Sequence, residues 1–174
     1  MLRGEYVILR VPELDDADII TSWHNDREVT KYLAENIYSV SKTALQGLIK
    51  QIYSEKNAKH FLIETEDEIP IGLGSLNDID WINGTAEIRV VLYAKNCWGR
   101  GYGYDCVKTL TEYAMYELNL NTIYVKLIEE NERAIKCFQK AGYEAEGKLM
   151  KRVIKENKYK NIISMSIYKK GNNE

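Results

Sequence analysis

The stretch Trp98-Gly99-Arg100-Gly101-Tyr102-Gly103 combines residue types and a spacing that could bind a phosphorylated ligand. Glycines at every second position let a backbone turn tightly and leave its N–H groups uncovered. An apolar, strand-like run from Glu87 to Tyr93 precedes it, and a helical run ending near Leu118 follows. The N–H groups would therefore sit at the positive end of a helix dipole, which is a site for phosphate. The turn alone does not say which phosphate. A dinucleotide fold would place an acidic ribose partner at the end of a following parallel strand, and Thr122 to Ile128 has none before Glu129. A Walker loop needs Gly-Lys-Ser/Thr, which is absent. A turn that is only structural stays open from the residues alone.

Two polar residues flank this turn in sequence. Glu87, on the strand leading into it, could accept a proton from a reacting group. The same position could equally be a solvated or Arg-paired strand residue. Asn131 opens a later helix, where its side chain could cap the helix or reach a ligand, or do both.

The elements that must position these residues can be read from periodicity. Tyr6 to Val11 alternates as a strand and ends at Pro12. A helical stretch opens at Leu14-Asp15-Asp16, with Asp15 or Asp16 as N-cap, and a short second helix covers Arg27 to Leu33. Ser41 starts a clearer helix carrying Leu45, Leu48, Ile49 and Ile52 at helical spacing. Three strands follow at His60 to Glu64, Ile69 to Leu76 and Ala86 to Tyr93. In the last, Ala86, Ile88, Val90 and Leu92 line one face and Glu87, Arg89 and Val91 the other. Val107, Leu110, Ala114 and Leu118 then form one apolar helical stripe. Ile123 to Ile128 is a strand, Glu132 to Lys140 a helix closed by Gly142, and Tyr143 to Ile154 with Tyr159 to Tyr168 a hairpin. The order β-α-α-β-β-β-α-β-α-β-β predicts a mixed α/β layer structure.

Composition narrows the function classes. The 174 residues are 45% hydrophobic and 29% charged with a net charge of -2, which fits one soluble domain and gives no electrostatic footprint for nucleic acid. A basic C-terminal cluster from Lys148 to Lys160 reads as the solvated face of the hairpin. Cys97, Cys106 and Cys137 lack metal-ligand spacing, and with only His24 and His60 no metal site is expected. Neither a signal peptide nor a membrane span is visible, so the expected location is cytoplasmic.

The pattern Trp98-x-x-Gly101-x-Gly103, then a helix, a strand, and Glu130-Asn131-Glu132-Arg133-Ala134 through Ala141-Gly142-Tyr143, resembles the GNAT acetyltransferase superfamily. The likeness runs from about Met1 to Lys169. It extends to the branch of ribosomal-protein N-terminal and spermidine acetyltransferases through Val7-Ile8-Leu9-Arg10, Trp23-x-Asn25-Asp26 and Glu146-Gly147. The resemblance implies a single acetyltransferase domain over 1–174 with a central, mostly antiparallel sheet flanked by helices. It implies acetyl-CoA as co-substrate and no metal. The pyrophosphate would lie on the N–H groups of Trp98, Gly99, Arg100, Gly101, Tyr102 and Gly103, with Arg100 adding charge. The pantetheine arm would run along Val90, Val91 and Leu92 and meet the Asn131 amide. Glu87 would serve as the acid–base residue, with an oxyanion donor near the Val91 N–H. Tyr32 and Tyr38 are candidate walls of the acceptor pocket, whereas Trp23 is read as core.

One departure stands out. Where many relatives carry a tyrosine to protonate the leaving thiolate, this chain has Phe138. The resulting expectation is direct attack of a primary amine on the thioester with a weak or absent general acid. The amine could belong to a polyamine, an amino sugar, an antibiotic or a protein N-terminus, and a homodimer stays open. The alternative is a non-catalytic module that binds or senses acyl-CoA.

Overall fold

The computed structural model describes residues 1–34 and 40–170. Its centre is an eight-stranded sheet: β1 Leu2–Arg3, β2 Val7–Arg10, β3 Lys59–Thr65, β4 Pro70–Asp80, β5 Thr85–Leu92, β6 Thr122–Ile128, β7 Glu144–Lys155 and β8 Lys158–Tyr168. The spatial order is β1-β2-β3-β4-β5-β6-β8-β7. Every neighbouring pair is antiparallel except β5 and β6.

The helices are α1 Ala17–His24, α2 Arg27–Thr30, α3 Lys42–Ile52, α4 Tyr102–Glu112 and α5 Glu132–Lys140. They cover the two faces of the sheet. On one face, Cys106, Val107 and Leu110 of α4 and Phe138 of α5 join Leu9, Ile63, Ile88 and Ile123 in the larger core. On the other, Ile20 and Trp23 of α1 and Leu45 and Ile49 of α3 pack on Leu62, Leu73 and Val91. The period-two alternation of β5 feeds both layers, since Val90 and Leu92 face the first core and Val91 the second. Burial of each large aliphatic side chain contributes about 1.5–3 kcal/mol, so the sheet is clamped from both sides.

Several boundaries differ from the sequence expectation, each for a local reason. A short strand, β1, precedes the first expected one, and the region before β3 holds the three helices read from periodicity, one more than the order β-α-α-β-β-β-α-β-α-β-β counts. Ser41 caps α3 by accepting from the Ala44 N–H at 3.2 Å, as expected. Asp16 does not cap α1. Its carboxylate accepts from the Glu13 N–H and from the Arg10 guanidinium at 2.8 Å, and Arg10 also binds Glu64 at 2.9 Å. Burial would raise Asp16, but the Arg10 and Glu13 hydrogen bonds outweigh it and hold the carboxyl below its ordinary range. The helical stripe after the glycines is broken by a wide turn over Tyr113–Glu117, closed by the Leu118 N–H on the Tyr113 carbonyl at 3.1 Å. That turn brings both Ala114 and Met115 into the core and leaves Leu118 only half-buried. The basic face of the hairpin is exposed at Lys148, Lys151, Arg152 and Lys158, and two of its cations are paired, Lys148 with Glu129 and Lys160 with Glu130.

Candidate active site at the splayed strands

Between β5 and β6 the parallel pairing covers only Thr85↔Thr122, Ala86↔Ile123 and Glu87↔Tyr124. Past that point, among the described residues, the only strand that pairs with β5 is β4 and the only one that pairs with β6 is β8. The sheet opens as a V with Glu87 at its apex.

The parity of the β4–β5 ladder decides which backbone groups face the gap. The Tyr93 N–H donates to the Ile71 carbonyl at 2.9 Å, so the odd-numbered residues of β5 turn their N–H groups to β4. Val91 is among them, and its N–H is therefore turned away from the gap. Val90 and Leu92 present theirs to it, so an oxyanion donor on this strand belongs at Val90 and not at Val91.

A cavity of about 610 Å³ passes through the V. On one side it is lined by Leu127, Asn131, Ala134 and Phe138, and on the other by Ile20, Leu45, Ile49 and Tyr32. Tyr32 is among the residues lining the cavity, and Tyr38 lies outside the described residues. Trp23 is core, stacked on Tyr93 with ring centroids 5.2 Å apart.

Glu87 is 4% exposed and points into this cavity. Its Oε2 accepts from the Arg89 guanidinium at 2.8 Å and lies 3.8 Å from Lys126 Nζ. Both cations hold one oxygen. The other, Oε1, has no hydrogen-bond partner among the described residues, and it is not an enclosed atom. A carboxylate with one anchored and one open oxygen has the geometry of a proton acceptor.

The glycine turn closes the wide end of the V. Gly99 and Gly101 have φ of 74° and 93°, the left-handed region, and nothing lies within 4 Å of where their Cβ atoms would be. The ladder of α4 starts with the Asp105 N–H on the Gly101 carbonyl at 3.0 Å, so the N–H groups of Tyr102, Gly103 and Tyr104 precede it. Arg100 is exposed beside them. Trp98 differs from expectation, since its own N–H is spent on the Lys95 carbonyl at 3.1 Å. Its side chain instead fixes the loop. Nε1–H donates to the Leu92 carbonyl at 2.8 Å, and the Arg133 guanidinium covers the indole at 3.7 Å from the ring centroid.

Asn131 caps α5 through its side-chain oxygen, which accepts from the Ala134 N–H at 3.3 Å. The cap leaves its NH₂ group for the cavity that the residue lines. Phe138 is 3% exposed and edge-on to Tyr143, so it fills space beside the gap and offers no proton. Cys137 packs near Gly103, and burial, its largest influence, raises the thiol.

Three participants escaped the sequence reading. Asp105 accepts from the Glu5, Tyr6 and Val7 N–H groups at 3.0, 2.7 and 3.1 Å and ties α4 to the first strands. His24 lines the cavity with Nδ1 buried and without a hydrogen-bond partner among the described residues, and burial lowers its pKa. Lys126 crosses the V to Glu87. Each is a lone polar residue on an amphipathic element, where spacing carries no signal.

The Acetyltransferase (GNAT) domain family matches residues 7–144 of the chain. The chain belongs to the GNAT acetyltransferases. It is 35% identical over 153 residues to the uncharacterized N-acetyltransferase p20 of Bacillus licheniformis, covering 85% of this chain and 84% of that one. It is 28% identical over 168 residues to spermidine N(1)-acetyltransferase of Escherichia coli K12, covering 97% and 89%. Among solved structures it resembles spermidine N-acetyltransferase from Vibrio cholerae in complex with CoA and spermine. That match has a TM-score of 0.87 and 26% identity, over 93% of this chain and 95% of that one. This GNAT enzyme transfers an acetyl group to an amine with acetyl-CoA as its co-substrate, and its mixed, mostly antiparallel sheet is the family's fold. Among the described residues, no helix is long and apolar enough to cross a membrane, and no group of acidic, Cys or His side chains could hold a metal ion.

Proposed function

We propose that the acetyl acceptor is a small alkylamine of the polyamine class, and that Glu87 takes its proton. The observation that carries this reading is the continuous cavity through the V. A thioester entering from the glycine turn meets there an amine arriving between α1, α3 and the sheet. Aliphatic walls from Ile20, Leu45 and Ile49 suit a methylene chain. Glu87 stands at the apex and Glu55, paired with His60 at 3.0 Å, also lines the cavity, so carboxylates are available to two amino groups. The relatives that are spermidine acetyltransferases support the same class.

In this reading the CoA pyrophosphate lies on the N–H groups of Gly99 to Gly103, with Arg100 beside it. The pantetheine arm bonds to the open edge of β5 at Val90 and Leu92, much as an added strand would. The Asn131 NH₂ group meets the same arm. The thioester carbonyl oxygen accepts from the Val90 N–H, which stabilises the tetrahedral oxyanion. An alkylammonium, with a pKa of roughly 10.4, must lose a proton before it attacks, and Glu87 Oε1 is the oxygen free to accept it. Tyr32 forms part of the acceptor wall.

The test is acetylation of an amine panel followed by mass spectrometry. Spermidine and spermine are expected to be consumed faster than an amino sugar or a peptide N-terminus. Preference for the peptide or the sugar would overturn the polyamine assignment.

A further inference from the structure

Phe138 leaves a chemical gap. The thioester C–S bond must break, and nothing at that helix position can meet the charge that develops on sulfur. The sulfur has to lie in the gap between β5 and β6, because only there can its carbonyl carbon reach an amine whose proton goes to Glu87. A cation already stands at that place. Lys126 projects from β6 on the face shared with Tyr124, while Ile123 and Val125 turn into the core. Its Nζ crosses the V to within 3.8 Å of Glu87 Oε2 and lies 5.2 Å from the Tyr124 ring centroid. It lines the same cavity as Glu87 and Phe138 and is 42% exposed, so the ammonium has room to move toward a ligand. Arg89 occupies the same Glu87 oxygen from β5, which keeps the carboxylate anchored when Lys126 swings away.

We propose that Lys126 is a catalytic residue that stabilises the departing CoA thiolate, the task left vacant by Phe138. The proposal rests on the reading of the V as the place where the thioester meets the amine. The ammonium proton passes through Glu87 to solvent before attack; the neutral amine nitrogen then forms its bond to the carbonyl carbon, and the proton it sheds goes to Glu87 Oε1. The C–S bond breaks with its electron pair on sulfur, where the Lys126 ammonium faces the new negative charge. Glu87 then releases the proton to solvent or to the thiolate. Lys126 acts as a fixed charge in a partly desolvated gap, and no proton needs to leave it.

The test compares wild type, Lys126→Met and Lys126→Arg with spermidine as acceptor and two acetyl donors, acetyl-CoA and p-nitrophenyl acetate. The second donor leaves as a weakly basic phenolate that needs little help. Removing one electrostatic donor of this kind costs on the order of 10²-fold in kcat. Lys126→Met is expected to lose about that factor with acetyl-CoA, to keep its CoA affinity within about twofold, and to lose far less with the phenyl ester. Lys126→Arg should recover most of the acetyl-CoA rate. An unchanged kcat, or an equal loss with both donors, would overturn the role. Glu87→Gln measured in parallel separates the two readings. If its rate is normal while Lys126→Met is slow, the proton-acceptor assignment fails and the thiolate role stands. The reverse pattern removes the thiolate role alone.

Discussion

The Trp98 indole N–H donates to the Leu92 main-chain carbonyl at 2.8 Å and so ties the glycine turn to the open edge of β5. One bond joins the two surfaces proposed to hold the pyrophosphate and the pantetheine arm of CoA. A hydrogen bond of this kind contributes about 1 kcal/mol net. Trp98→Phe keeps an aromatic ring under Arg133 but loses the donor. CoA affinity by calorimetry should fall about fivefold, with kcat at saturating acetyl-CoA nearly unchanged. Unaltered affinity would mean that the loop is positioned by other contacts.

Gly101→Ala isolates a conformational cost, because the added methyl group would touch nothing within 4 Å. Holding a Cβ-bearing residue at φ 93° costs about 1–2 kcal/mol. The variant should bind CoA about tenfold more weakly and show a smaller CoA-induced rise in Tm. An equal rise would show that the left-handed turn is dispensable for the cofactor.

The glycine turn, the Asn131 cap and the strand carrying Glu87 were legible because each is local. Alternating glycines, an N-cap before an amphipathic helix and a period-two strand are written in consecutive residues. The V is not local. It depends on β6 leaving β5 after Tyr124 while staying paired with β8 on its other edge, and no short window contains that partnership. The same holds for Lys126, which meets Glu87 only because two distant strands run parallel for three residue pairs. Trp98 was found but its role was misassigned, since a one-turn helix just before it uses its N–H. Which main-chain N–H near Val91 faces the gap depends on ladder parity, and so on the register with β4, which no short window contains.

Asp105→Asn tests the link between α4 and the N-terminal strands. The carboxylate accepts three backbone N–H groups, and the amide nitrogen that replaces one oxygen would turn a donor toward donors. A loss of about 1–3 kcal/mol is expected from urea unfolding. The first residues should also become more sensitive to proteolysis. Wild-type stability would show that these bonds are individually expendable.

The pH dependence of stability should carry a mark of His24. Burial holds its folded-state pKa below the ordinary 6.5, so the unfolded chain takes up a proton first as pH falls. The unfolded state then binds more protons, and stability declines as pH drops through the window just under 6.5. Above that value the group has no effect. His24→Leu should flatten this decline in urea midpoints between about pH 7.5 and pH 5.5. A decline of the same size in the variant would assign it to other groups.

On the proposed reading Glu87, open at Oε1 and anchored at Oε2, drives amine attack at the apex of the V. The most direct measurement is the single-turnover rate of acetyl transfer to spermidine by Glu87→Gln, with CoA binding followed on the same sample. The account predicts a rate reduced by about 10²-fold or more, as for loss of a general base, with CoA affinity unchanged. A Glu87→Gln enzyme that transfers acetyl at the wild-type rate would contradict it.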